Sequence, residues 1–149
     1  MSQIVVSDST CLIALERIRR LDLLPAVFDQ IWIPPAVAAE FGQTLPWLLV
    51  RAPTNAGAVA AYEALVDAGE AAAIALAAEL TCEVILDDLQ ARRLAARQGV
   101  RCVGLLGVLL RAKQAGRLAT VRPLIDALRS QNFHVSAPLV AEALRLAGE

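Results

Sequence analysis

The chain has 149 residues, the length of one typical domain, and a chain of this size buries about two thirds of the surface that it exposes when unfolded. Its apolar content of 57% and charged content of 19% exclude intrinsic disorder and favour an extensive core or a self-association surface. The net charge of −1 argues against strong non-specific binding to polyanions. No apolar stretch has the about 20 residues of a membrane span, and the start MSQIVVSD lacks signal-peptide features, so we expect a cytoplasmic protein.

Short strand-forming segments alternate with helical ones through the first two thirds of the chain. The predicted strands are 4–7 (IVVS), 31–33 (IWI), 83–86 (EVIL) and 100–105 (VRCVGL). The predicted helices are 10–20, 36–41, 70–80, 88–98, 107–115, 121–130 and 137–146. Such alternation indicates βα units and a parallel sheet, and the unbroken apolar runs are typical of strands covered on both faces.

The organisation of the chain predicts a single α/β domain over residues 1–149. The part after Gly104 contains helical patterns only, and residues 119–149 are predicted to form a helical C-terminal extension. The helix at 70–80 is rich in alanine and almost wholly apolar, so we expect it to be buried centrally.

Cysteine and histidine usage restricts the chemistry. Cys11, Cys82 and Cys102 lie far apart in apolar surroundings and are interpreted as core residues. With His134 as the one histidine and no CxxC motif, a zinc site or a Ser-His-Asp triad has little support. Any metal is therefore expected to be a hard cation that carboxylates bind.

Acidic residues occur where an α/β sheet binds its ligands. Asp8 follows the first predicted strand, and Asp87 and Asp88 follow the strand EVIL, so two strands bring acids to the same sheet edge. Glu40 and Glu70 lie within apolar helical stretches. A carboxylate among apolar residues must be paired, hydrogen-bonded, metal-bound or protonated. A shared divalent cation would account for all of these positions.

Each acid taken alone also has a local structural interpretation. Asp8 could cap a helix, and Glu70 could be a first-turn acid that the helix dipole favours. Asp88 with Arg92 is an ordinary i,i+4 pair, and Glu40 could lie on the surface. It is the joint arrangement of the acids that favours a metal site.

The order of several segments resembles the PIN domain family. The segments are SDSTCLIAL, PPAVAAEF, DAGEAAAIALA, VILDDLQARRLA and VGLLGVLLRAKQAG. The resemblance covers nearly the whole chain and is to short prokaryotic PIN-like proteins of uncharacterised type, related to VapC-type toxin ribonucleases. It implies a PIN-like three-layer fold, with a small parallel sheet of about four or five strands between helices, and metal-dependent cleavage of RNA.

The resemblance also implies a set of site residues. The positions that correspond to the acidic site for Mg²⁺ or Mn²⁺ are Asp8, Glu40, Glu70 and either Asp87 or Asp88. Glu70 stands where many PIN domains have an aspartate further inside a helix. Thr10 matches a small polar residue near the first acid, where it would orient a metal-bound water.

Arginine supplies almost all of the positive charge. Arg92, Arg93 and Arg97 lie on the helix that starts at the acid edge and are predicted to bind nucleic acid. A second basic cluster consists of Arg111, Lys113 and Arg117. The alternative interpretation of the arginine content is codon bias in a GC-rich genome.

The leading hypothesis is a Mg²⁺- or Mn²⁺-dependent endoribonuclease that cleaves single-stranded RNA, as the toxin of a type II toxin-antitoxin pair. Its expected partners are the RNA substrate, a small antitoxin protein and further copies of the chain in a homodimer or higher homo-oligomer. The alternative is a non-catalytic PIN-like module that binds RNA or a protein.

Overall fold

The computed structural model of the protein describes residues 3–149, which form five strands and nine helices. The strands are β1 (Ile4–Ser7), β2 (Gln30–Ile33), β3 (Leu48–Val50), β4 (Glu83–Ile85) and β5 (Cys102–Val103). The helices are α1 (Ser9–Arg17), α2 (Leu23–Val27), α3 (Pro35–Phe41), α4 (Ala56–Glu63), α5 (Ala68–Leu80), α6 (Leu89–Arg97), α7 (Leu105–Gln114), α8 (Arg122–Ser130) and α9 (Ala137–Leu146). The predicted α/β fold with a small parallel sheet is confirmed.

The strand order positions one crevice at the carboxyl end of the sheet. The strands lie in the order β3-β2-β1-β4-β5, and each neighbouring pair is parallel. From β1 the chain proceeds outward to β2 and β3, and it then crosses back to place β4 on the other side of β1. The strand order therefore reverses between β1 and β4, and ligands of open α/β sheets bind outside the carboxyl ends of such strands.

Both faces of the sheet are covered, as the apolar strands predict. Val5 belongs to a core cluster with α1, α2 and α7, whereas Val6 belongs to a second cluster with α5 and α6. Helices α8 and α9 add Leu128 and Ala143 to the first cluster, so the C-terminal helices pack against the same core as the sheet. The result is a three-layer arrangement.

Helix α5 is the most buried helix, as its composition predicts. Every residue from 71 to 77 is buried, and the helix packs against β1 and β4. Alanine side chains are short, so the helix axis can approach the sheet closely without leaving voids. Since α5 starts beside the carboxyl end of the sheet, this packing fixes the position of its first turn.

Several element boundaries differ from the predicted ones. Helix α1 ends at Arg17 rather than at residue 20, since Arg19 has a left-handed backbone with φ of 58°. Helix α7 starts at Leu105, two residues early, with Gly104 as its N-cap. The elements α2, β3 and α4 were not predicted, because they are short or, in α4, have no apolar stripe.

Within residues 3–149, no helix is both long enough and apolar enough to cross a bilayer.

Candidate acidic site

Asp8 lies at the base of the crevice, directly after β1. The residue is 4% exposed, and Oδ1 accepts a hydrogen bond of 3.0 Å from the backbone N–H of Cys11, so Asp8 caps α1. Burial raises the pKa of Asp8 to about 7; the Cys11 N–H opposes this, and the negative charges of Asp87, Glu70 and Asp67 add to it. None of the ion pairs in residues 3–149 includes Asp8.

Asp87 follows β4 and lies beside the start of α7. Both of its carboxylate oxygens accept from the backbone N–H of Leu105, each at 3.2 Å. Gly104 permits this approach, because a Cβ there would lie 3.0 Å from Asp87 Oδ1 and 3.1 Å from Arg92 Nη1. Burial raises the pKa of Asp87, while the Leu105 N–H and the Arg92 charge oppose the rise. The carboxylate is thus held by a helix N-terminus, which favours negative charge.

Asp88 has a different role from its neighbour. It is exposed and caps α6, and its Oδ2 accepts from the backbone N–H of Ala91 at 2.9 Å. Asp88 is therefore a helix cap and not the i,i+4 partner of Arg92, since none of the ion pairs in residues 3–149 joins the two. Of the two adjacent acids, Asp87 is the one whose charge raises the pKa of Asp8.

Glu40 approaches the crevice from α3 and is exposed. Its Oε2 accepts a hydrogen bond of 2.8 Å from the Ser9 hydroxyl. Its Oε1 lies against the first turn of α5, where a Cβ built on Gly69 would be only 2.9 Å away. The absence of a side chain at Gly69 is what allows Glu40 to occupy this position.

Asp67 and Glu70 form a capping box at the start of α5. Asp67 Oδ1 accepts from the Glu70 N–H at 2.8 Å, and Glu70 Oε1 accepts from the Asp67 N–H at 3.2 Å. Partial burial raises the pKa of Glu70 to about 7; the Asp67 N–H opposes this, and the charges of Asp67 and Asp88 add to it. Asp67 was not predicted as a site residue, although the D-x-x-E spacing of DAGE is a recognisable helix-start signal.

The two hydroxyls after Asp8 lie in different environments. Ser9 is buried and binds Glu40, whereas Thr10 is exposed and lines a cleft with residues of α1 and the end of α8. The hydroxyl in contact with an acid is therefore that of Ser9. The assignment of Thr10 as an orienting residue stays a prediction.

The donor set fits a hard divalent cation in type and charge. The side chains around the crevice offer carboxylate oxygens, and burial, with a smaller contribution from neighbouring negative charges, raises the pKa of Asp8 and Glu70. In the part of the chain that the structure describes, no three Asp, Glu, His or Cys side chains are close enough together to hold an ion. Binding of an ion would therefore require side chains around the crevice to move closer together.

The predicted basic residues of α6 differ in exposure. Arg92 is half-buried, and its Nη1 donates to the backbone carbonyl of Leu86 at 2.8 Å. Arg93 and Arg97 are exposed. Arg92 is thus fixed next to Asp87, and the other two guanidinium groups face solvent.

Two members of the second basic cluster are engaged in ion pairs. Arg111 Nη2 lies 2.7 Å from Glu83 Oε2, and Lys113 Nζ lies 2.9 Å from Glu149 Oε2. These pairs satisfy the two cations within the fold. They are less available to a nucleic acid than the exposed arginines of α6.

The comparison with protein families agrees with this architecture. A family model described as DUF3368, a PIN domain, matches residues 4–149. No curated protein matches the chain. The chain therefore belongs to the PIN domain family, whose members are generally nucleases that bind nucleic acid and typically use divalent metal ions.

Proposed function

We propose that the protein is a Mg²⁺- or Mn²⁺-dependent endoribonuclease that cleaves single-stranded RNA at the crevice between β1 and β4. The observation that carries the proposal is the buried carboxylate of Asp8, which lacks an ion-pair partner within residues 3–149 and is surrounded by the negative charges of Asp87, Glu70 and Asp67. A folded protein tolerates such repulsion where a cation relieves it.

In this proposal Asp8 and Asp87 are the fixed ligands, and Glu40 and Glu70 are adjustable ones. The Cys11 N–H and the Leu105 N–H hold the two aspartates in place. When bound, the divalent cation supplies charge neutralisation at the phosphate and acidification of a water molecule.

The remaining side chains position these groups. The Ser9 hydroxyl orients Glu40 by its hydrogen bond. Arg92, fixed by the Leu86 carbonyl beside Asp87, offers a guanidinium group to a phosphate that enters the crevice. Asp88 caps α6 and so determines where that guanidinium group lies.

The test is cleavage of a labelled single-stranded RNA by the purified protein in Mg²⁺ or Mn²⁺. We expect cleavage that excess EDTA stops and that Asp8→Asn abolishes, with unchanged circular dichroism. Asp126→Asn, which neutralises an exposed acid on α8, is the matched control and should retain full activity. Undiminished cleavage by Asp8→Asn or in EDTA would contradict the proposal.

A second candidate is a PIN-like module that binds RNA or a protein without cutting. The observation in its favour is that no three ligating side chains in residues 3–149 are preassembled around an ion. Calorimetric titration with Mn²⁺ separates the two candidates. Heat that Asp8→Asn removes supports the nuclease, whereas no heat at millimolar Mn²⁺ supports the non-catalytic module.

The biological role that we propose is that of a type II toxin neutralised by a small antitoxin protein, in a homodimer or higher homo-oligomer. The resemblance to VapC-type toxins supports this role. Expression in a bacterial host should arrest growth, and Asp8→Asn should not. Light scattering on the purified protein should give at least twice the mass of the chain, and a monomer would contradict the oligomeric part.

A further inference from the structure

Two grooves border the edge strand β5 and meet at Arg92. The first has a volume of about 590 Å³ and lies between α6, α7 and α9. It starts at Asp87 and is lined mainly by apolar side chains, among them Leu106, Leu110 and Leu139. Leu139 is 52% exposed, so the apolar wall is open to solvent. This groove is continuous with the proposed cleavage site, because Asp87 belongs to both.

The second groove continues from Arg92 along the outer side of β5. Its volume is about 660 Å³, and its lining includes Arg92, Arg93 and Arg101. Glu83 is the one carboxylate in this lining, and it already accepts two hydrogen bonds from Arg111. Among the described residues, neither Arg93 nor Arg101 has a carboxylate within ion-pair distance. The Arg101 charge also contributes to lowering the pKa of Glu83, but this one carboxylate cannot balance three arginines in the lining, so the groove keeps an excess of positive charge.

The two grooves together match the chemistry of a single nucleic-acid strand. A single strand offers unpaired bases with apolar faces and a backbone with one negative charge per nucleotide. An apolar groove next to a basic one can take a base on one side of Arg92 and phosphates on the other. A polypeptide partner would also fill the apolar groove, but it would not require the exposed guanidinium groups of Arg93 and Arg101.

We propose that the edge of β5 is the substrate path. The base of a nucleotide next to the cleaved phosphate enters the groove at Leu139, and the phosphates on the other side contact Arg93 and Arg101. This inference rests on the proposed function, since the acidic crevice at Asp87 sets where the strand is cut. Arg101 is thereby a binding residue outside the predicted set of α6, brought beside it by the turn into β5.

The experiment measures binding of a fluorescently labelled single-stranded RNA to the full-length Asp8→Asn protein in EDTA, by anisotropy at several salt concentrations. Arg93→Ala and Arg101→Ala should each weaken affinity about threefold to tenfold at about 50 mM salt and lower the slope of log affinity against log salt by about 0.7. Leu139→Ser should weaken affinity about threefold or more and leave the slope unchanged, because it removes a base contact and no phosphate contact.

Two matched variants control for composition and folding. Arg129→Ala removes an exposed guanidinium group on α8, and Val50→Ser truncates an exposed apolar side chain on β3, at the opposite edge of the sheet. Both should bind as the parent does. Equal affinity of the parent, Arg93→Ala and Arg101→Ala would overturn the path, as would a Leu139→Ser variant that changes only the oligomeric mass, because the groove would then be an interface between copies of the chain.

The outcomes separate this inference from the proposed function. If the wild-type protein cleaves RNA but both arginine variants bind RNA normally, the proposed function stands and the proposed path is wrong. A protein that binds RNA through Arg93 and Arg101 but never cleaves has the path and lacks the function.

Discussion

The acidic residues at the two ends of β1 and β4 have different partners. At the amino end, Glu83 of β4 pairs with Arg111 of α7 through hydrogen bonds of 2.8 and 2.7 Å. At the carboxyl end, Asp8 and Asp87 contact backbone N–H groups, and neither belongs to an ion pair of the described residues. The same two strands therefore pair an acid at one end and accumulate unpaired acids at the other.

The pKa values of these acids are shifted in opposite directions. The Arg111 guanidinium lowers the pKa of Glu83, whereas burial and neighbouring negative charge raise the pKa of Asp8 to about 7. Ionised Glu83 thus stabilises the folded chain, and ionised Asp8 destabilises it. The amino end therefore serves stability, whereas the carboxyl end retains an unfavourable charge that a cation is suited to relieve.

Among these predictions, substitution of the two adjacent acids after β4 should give the greatest difference in the rate of RNA cleavage. Asp87→Asn should lower the rate of RNA cleavage about a hundredfold or more, because it removes a carboxylate that faces Asp8. Asp88→Asn should change the rate by less than about threefold, since asparagine caps a helix as well as aspartate does. Single-turnover cleavage assays on both variants, with urea unfolding as the folding control, measure the difference.

Equal losses in Asp87→Asn and Asp88→Asn would show that the capping acid is also required by the site. A larger loss in Asp88→Asn would reverse the assignment. Either result would contradict the assignment of Asp87 to the proposed metal site and of Asp88 to the helix cap alone.

The sequence predicts that Asp8 and Asp87 lie at one edge of the sheet, for a physical reason. Asp8 and Asp87 follow apolar strands, and the carboxyl ends of parallel strands meet at one edge of a sheet. Their positions depend only on where a strand ends. The adjustable part was harder to predict, because Glu40 reaches the crevice through its contacts with Ser9 and the first turn of α5, which depend on how two helices pack.

Three contacts depend on packing that the sequence does not display. Asp67 reads locally as a helix cap, and only the packing of α5 against β1 brings its charge near Asp8. Arg111 and Glu83 are 28 residues apart, so a sequence pattern of local charge clusters cannot identify them as a pair. Ser9 and Thr10 are adjacent, and the phase of α1 decides which hydroxyl meets Glu40.

A smaller loss of cleavage is expected from substitution of Gly69, whose lack of a side chain leaves room for Glu40. Gly69→Ala should lower cleavage about tenfold or more, because a Cβ there would lie 2.9 Å from Glu40 Oε1 and displace that carboxylate. Stability should stay equal or rise by about 0.4–1 kcal/mol, because alanine reduces the entropy of the unfolded chain and the displaced atom is the end of a flexible side chain. Cleavage assays and urea unfolding of the same preparation test both parts.

Gly57→Ala is the matched control for this prediction. Gly57 is also the second residue of its helix, and a Cβ there would meet only Asn55 Oδ1, at an ordinary 3.6 Å. It should leave cleavage unchanged. If Gly69→Ala cleaves as well as Gly57→Ala, the position of Glu40 is not important for the site.

Cation binding should reduce the unfavourable charge at the carboxyl end of the sheet. At a free Mn²⁺ concentration about ten times its Kd, the free energy of unfolding should rise by about 1.4 kcal/mol, because the ion binds only the folded chain. Asp8→Asn should show a smaller rise, and Asp126→Asn should match the wild type. Urea unfolding with and without the ion measures the rise, and equal rises in all three proteins would locate the binding elsewhere.

The smallest change is expected in stability, on substitution of Glu83 at the amino end of the sheet. Glu83→Gln should lower the free energy of unfolding at pH 7 by about 1 kcal/mol, since solvent screens this partly exposed pair. Because Arg111 lowers the pKa of Glu83 below its ordinary value of 4.5, the contribution is fully present above that value and is lost as the pH falls through the lowered pKa. Wild type and Glu83→Gln should therefore converge in stability once the pH falls below the lowered pKa, as measured by urea unfolding across pH. As a control, Glu142→Gln breaks the exposed pair with Arg145 and should lower the free energy of unfolding at pH 7 by less than Glu83→Gln does. If the difference in stability between wild type and Glu83→Gln persists at low pH, the effect comes from packing rather than from charge.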